Sequence, residues 1–121
     1  MKRATLALYL VFGFAGLAAG LTAIVSPGLV LGQSALTGLA SHLAQEQGAL
    51  FVFVGLMCFW CFKHYEQRRP VHFSLLVSTL LFFAIHLQGY LAGHGAIRYV
   101  AANAAPSALL ALTAPWSHRQ S

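Results

Sequence analysis

Charged side chains are scarce in this sequence. They make up 7% of the 121 residues, with seven Lys and Arg against only two Asp and Glu. A soluble domain typically carries about a quarter charged residues, because its surface must face water. Hydrophobic residues make up 59% of the chain. The composition therefore excludes an ordinary soluble globule and predicts a protein whose surface faces lipid.

Recognisable catalytic motifs are also missing. The sequence has no phosphate-cradling glycine loop, no His-Glu-x-x-His and no Gly-x-Ser-x-Gly. Its two cysteines, Cys58 and Cys61, lie inside an apolar run and predict no disulfide framework. These absences favour a protein that is not an enzyme.

The net charge of +5 raises the question of a nucleic-acid partner. Such a partner would need the cations gathered on one face. Here the basic residues stand at the ends of apolar segments, as topology signals do: Lys2, Arg3, Lys63, Arg68, Arg69, Arg98 and Arg119. The pattern excludes nucleic acid and predicts the lipid bilayer as the first partner.

Four apolar stretches predict an all-α integral membrane four-helix bundle that forms a single transmembrane domain. The expected spans are about 4–25, 42–62, 73–92 and 99–116, because a crossing needs roughly 20 apolar residues. Residues 26–41 form the predicted outer loop, with room for a short interfacial helix. The fourth span is the weakest, since it contains Asn103 and Pro106.

The basic residues also predict an orientation. All of them except Arg98 fall at the N-terminus, between the second and third spans, or in the C-terminal tail. The excess of Lys and Arg in cytoplasmic segments therefore predicts that both termini are cytoplasmic. The expected location is a bacterial inner membrane.

Glycines recur on the first two spans at spacings typical of close helix packing. The set comprises Gly13, Gly16, Gly20, Gly48 and Gly55. Two interpretations are open: the glycines pack the bundle internally, or they contact a helix of a partner protein. Internal packing is the more common use.

Polar residues on three segments are predicted to meet near the outer leaflet. They are His42, Glu46, His86, Tyr90, His94, Arg98 and Asn103. Polar groups within lipid are costly and turn toward each other or toward a wet cavity. His42 and Glu46 could share a metal, and His86 could bond a quinone carbonyl. Alternatively, Glu46–Arg98 and His86–Asn103 pairs only hold the bundle together.

Two further ligand sites are weaker. A haem is disfavoured because His42 and His86 are not expected at equal depth. Cys58 and Cys61 lie on one face of the second helix, where thiolates could hold a soft metal such as Cu(I). Buried cysteines are more often inert small hydrophobes.

The layout resembles the DoxX-like four-helix inner-membrane proteins. The shared features are an opening apolar helix, the break at Pro27, Glu46-x-Gly48 at the start of the second helix, and an inner loop with Arg68-Arg69. The resemblance covers most of the chain as architecture. It implies a four-helix membrane fold and supplies no catalytic residues.

The sequence leads to three functional hypotheses. The first is a non-catalytic accessory or assembly subunit of a larger membrane complex, with other membrane subunits as partners and no cofactor. The alternative is a redox or metal protein that binds quinone, metal or haem at the outer polar residues. The third is a homo-oligomeric channel or transporter.

Overall fold

The computed structural model describes residues 1–31 and 38–117, and every regular element in them is a helix. Five α-helices follow one another along the chain: α1 (Lys2–Val25), α2 (Pro27–Leu31), α3 (Gly38–Lys63), α4 (Arg69–Leu91) and α5 (Ile97–Leu112). A short 3-10 turn, Tyr65–Gln67, lies between α3 and α4. The fold is therefore all-helical over the described residues.

Three helices, α1, α3 and α4, are long and apolar enough to cross a membrane. Large apolar side chains such as Phe14, Leu21, Phe53 and Leu81 are more than half exposed along them. Helix α5 is apolar but has 16 residues. At helical rise it is about 24 Å long, less than the ~30 Å of a hydrocarbon core.

The helix ends differ from the predicted spans at several places. Helix α3 begins at Gly38, ahead of the expected start at 42, and α5 ends at Leu112, short of the expected 116. Pro115 explains the second difference, because the residue before a proline is disfavoured in the helical region. Part of the predicted outer loop, residues 32–37, lies outside the described residues.

The chain divides into two compact units. The first, Leu6–Lys63, contains most of α1 together with α2 and α3, and we call it the hairpin. The second comprises Met1–Thr5 and His64–Ser121, of which residues through 117 are described. We call it the terminal unit.

Glycines bring α1 and α3 into backbone contact within the hairpin. A Cβ added at Gly20 would lie 2.5 Å from the carbonyl oxygen of Gly48, and one added at Gly48 would lie 2.7 Å from the carbonyl oxygen of Gly20. A Cβ at Gly16 would lie 2.9 Å from the Phe51 carbonyl oxygen, and one at Gly55 2.8 Å from that of Gly13. Only hydrogen fits at these four positions, so four of the five predicted packing glycines line the contact between α1 and α3 inside this hairpin.

Side chains complete the contact at both ends of the hairpin. The Phe59 ring covers Gly13 and meets Phe14 edge to face, with ring centroids 5.0 Å apart. At the other end the Gln45 amide donates to the Ile24 carbonyl oxygen at 3.0 Å. Ile24 lies in the last turn of α1, where carbonyls have no partner within the helix. Gln45 therefore caps α1 from α3.

Helices α4 and α5 pack antiparallel in the terminal unit around Leu75, Leu76, Val100 and Leu110, all at most 8% exposed. The turn between them contains Gly93, whose φ of 85° suits a residue without a Cβ. The amide groups of His94 and Gly95 both donate to the Gly89 carbonyl oxygen, which ends α4.

Replacing Gly20 with alanine is expected to destabilise the protein by about 1–3 kcal/mol, because the new methyl group meets backbone rather than a flexible side chain. Gly89 in α4 is the matched control, since nothing lies within 4 Å of its Cβ position. Gly89→Ala should be neutral or stabilising by up to about 1 kcal/mol. The measurement is the free energy of unfolding in detergent. Equal stabilities of the two variants would contradict the packing described.

Candidate functional site

The polar residues that the sequence places near the outer leaflet divide between the two units. His42 and Glu46 lie in the hairpin, one turn apart on α3, with His42 Nε2 3.1 Å from Glu46 Oε1. Both side chains are more than 60% exposed. His86, Tyr90, His94, Arg98 and Asn103 lie in the terminal unit.

Tyr99 is the centre to which three of these terminal-unit residues are joined, a group we call the Tyr99 cluster. The His86 ring stacks on Tyr99 with centroids 5.8 Å apart. Arg98 Nη2 donates to the Tyr99 hydroxyl at 3.0 Å, and Asn103 Nδ2 donates to the Tyr99 carbonyl oxygen at 2.7 Å. Tyr90 and His94 are exposed. The cluster places a phenol, an imidazole and a guanidinium beside one another.

The metal hypotheses can be compared with the geometry over residues 1–31 and 38–117. Within these ranges no group of three or more His, Cys, Asp or Glu side chains is arranged to hold a metal ion. Cys58 and Cys61 are both buried on α3, and neither forms a disulfide. Two thiols one turn apart can supply only part of a ligand set.

A second polar cluster, around Tyr65, has a geometry that the sequence analysis did not anticipate. Lys2 Nζ lies 2.8 Å from Glu66 Oε1 and 4.9 Å from the centroid of the Tyr65 ring. The Arg68 guanidinium carbon lies 3.7 Å from the same ring centroid, and Arg68 Nη1 donates to the Tyr65 carbonyl oxygen at 2.8 Å. We call these four residues the Tyr65 cluster.

The contact between Arg68 and Tyr65 is a cation–π contact in which the guanidinium lies over the ring. Arg68 is only 3% exposed. The Lys2 ammonium, by its hydrogen bond first and its charge second, holds the pKa of the Glu66 carboxyl below its usual range.

A cavity of about 270 Å³ opens beside the Tyr65 cluster in the terminal unit. Its lining residues are Met1, Lys2, Thr5, Tyr65, Glu66, Arg68 and Thr113. The start of α1, the turn before α4 and the residue after α5 therefore meet at one end of this unit. Two cations against one carboxylate leave the lining with an excess of positive charge, which suits an anion.

His72 follows the Tyr65 cluster on α4 and is fully buried. Its Nε2 donates to the Leu110 carbonyl oxygen at 2.8 Å. Leu110 lies in the last turn of α5, so its carbonyl has no partner within the helix. His72 thus caps α5 from α4, and Trp116 adds a second bond there by donating its indole N–H to the Ala111 carbonyl oxygen at 2.9 Å.

The sequence analysis assigned Lys2 and Arg68 to topology and gave no role to Tyr65. One signal was present in the sequence. Glu66 is one of only two acidic residues, and it stands among cations in the segment Lys63–Arg69. A lone carboxylate in a basic segment indicates an ion pair. Lys2 and this segment are predicted on the same side of the membrane, so Lys2 was an available partner for Glu66.

Comparison with known proteins found no family model, no curated protein and no solved structure that matches this chain. The resemblance to DoxX-like proteins therefore rests on layout alone.

Replacing His72 with leucine is expected to lower the free energy of unfolding by about 1–3 kcal/mol, because the Leu110 carbonyl loses its donor in a buried position. His94→Leu is the matched control, since His94 is exposed, and it should change stability by less than about 0.5 kcal/mol. Thermal or denaturant unfolding in detergent measures both. A His72→Leu protein as stable as the control would contradict the capping role.

Proposed function

We propose that the protein is a non-catalytic accessory or assembly subunit of a larger membrane complex. The observation that carries this proposal is the use of its buried polar side chains. Among the described residues these are Thr5, Arg68, His72 and Ser107. Each of the four donates a hydrogen bond to a main-chain carbonyl oxygen. Such bonds satisfy main-chain carbonyls at helix ends, in a turn and, for Ser107, within α5, which is a structural rather than a catalytic use of polarity.

The proposal includes four crossings of a bacterial inner membrane with both termini in the cytoplasm. Support for this topology comes from the cavity of the terminal unit, which both Met1 and Thr113 line. This closeness of the start of α1 to the end of α5 supports an even number of crossings. The short helix α5 can be accommodated by local thinning of the bilayer.

Reporter fusions test this topology. A fluorescent protein that folds only in the cytoplasm should fluoresce when it is fused after Ser117. A phosphatase that is active only outside the cytoplasm should be inactive when it is fused at the same position. After Gly95, in the turn between α4 and α5, the two results should be reversed because Arg98 is the only basic residue of that region. Fluorescence after both positions would exclude a crossing by α5.

The partner test must avoid the glycines, because the hairpin itself uses them and their substitution would damage the fold. Helix α1 offers a better position. Ala15 and Ala19 form a second small-xxx-small pair, and both are exposed. Small residues allow close approach of another transmembrane helix. Ala84 on α4 provides the control position. It is also exposed, but the residues one turn away from it, Leu80 and Gln88, are not small.

The double substitution Ala15→Ile and Ala19→Ile is expected to reduce recovery of a stoichiometric partner at least several-fold, because the added side chains block close helix contact. Ala84→Ile should leave recovery unchanged. The measurement is quantitative mass spectrometry of the complex purified in mild detergent, with unfolding temperature as the folding control.

Two results would overturn the subunit proposal. The first is purification without any stoichiometric protein. The second is a bound quinone, metal or haem that His86→Ala removes, which would favour ligand binding at the Tyr99 cluster instead.

A further inference from the structure

The subunit proposal assigns no function to the cavity beside the Tyr65 cluster. Its volume of about 270 Å³ lies just below the ~300–1,000 Å³ of pockets for drug-sized ligands. It is therefore suited to a small group rather than a whole cofactor. Lys2 and Arg68 supply positive charge, and Thr5 and Thr113 are also lining residues.

We propose that this cavity binds the phosphate group of an anionic phospholipid headgroup. Arg68 is the principal residue, because its guanidinium is held over the Tyr65 ring and its Nη1 is fixed on the Tyr65 carbonyl oxygen. A guanidinium held in place loses little freedom on binding, and its planar edge matches phosphate oxygens. The proposal rests on membrane insertion and does not depend on a partner subunit.

The position of the cavity favours a lipid as the source of the phosphate. The cavity lies where α1 and α4 begin, at Lys2 and Arg69, and both helices are long and apolar enough to span a membrane. The ends of such helices lie at the depth of the headgroups, where basic pockets bind anionic lipids. A free phosphate ion shares the chemistry but lacks the acyl chains that would hold it there.

Glu66 gives the site an internal competitor. Its carboxylate lines the cavity and pairs with Lys2 at 2.8 Å. A phosphate that enters must either share Lys2 with Glu66 or displace it. Removal of this carboxylate should therefore strengthen phosphate binding, whereas a purely structural ion pair would make the same substitution neutral or harmful.

The experiment uses the full chain in phosphatidylcholine nanodiscs with and without phosphatidylglycerol. Native mass spectrometry counts the phosphatidylglycerol molecules that remain bound after release from the disc, and titration gives the apparent affinity. Arg68→Gln and Lys2→Gln should each weaken retention about tenfold, equivalent to ~1.4 kcal/mol. Their matched controls, Arg98→Gln and Lys63→Gln, remove a cation that does not line the cavity and should change retention less than twofold. Glu66→Gln should strengthen it several-fold.

The outcomes separate the possible sources of phosphate. Competition by inorganic phosphate at concentrations that displace phosphatidylglycerol would assign the site to a free anion and overturn the lipid proposal. Equal losses in Arg68→Gln and Arg98→Gln would also overturn it, since they would indicate only general charge attraction. If Arg68→Gln fails to fold, Lys2→Gln and Glu66→Gln decide, because both residues are largely exposed. Opposite changes in these two variants support the site, and any other combination rejects it.

Discussion

Main-chain carbonyl groups at helix ends impose the constraint on which this structure depends. The last turn of every helix leaves carbonyls without partners, and lipid offers no water to satisfy them. Both units meet the constraint with a side chain from a neighbouring helix. Gln45 of α3 donates to Ile24 of α1, and His72 of α4 donates to Leu110 of α5. The ends of α1 and α5 are thus each held by a side chain of the neighbouring helix.

The helices themselves could be predicted from the sequence because a crossing requires a long apolar run, and such runs are visible directly. Their ends could not be predicted as well. Helix α3 begins at Gly38, and α5 ends at Leu112, where turns, prolines and capping side chains decide the boundary. These contacts come from tertiary structure, so hydropathy alone does not contain them.

The polar residues could be identified from the sequence because they are rare, but the sequence did not show which of them contact one another. The sequence predicted that His86, Arg98 and Asn103 share a level, and the structure joins all three to Tyr99, a residue whose type is common at membrane interfaces. The Tyr65 cluster was missed because a cation at the end of an apolar run has a sufficient explanation as a topology signal. Glycine spacing left a similar ambiguity, since a glycine face suits an internal neighbour and a partner equally.

The bond from His72 to Leu110 has a consequence for the study of this protein's homologues. Its acceptor is a main-chain carbonyl, which is present whichever residue occupies position 110. Evolution can therefore change Leu110 without disturbing the bond, and no compensating change at position 72 is required. Correlated substitution between aligned positions would leave this contact undetected, although it connects α4 to α5. The same holds for Gln45 and Ile24, so the contacts that fix the helix ends are the ones that sequence covariation is least able to find.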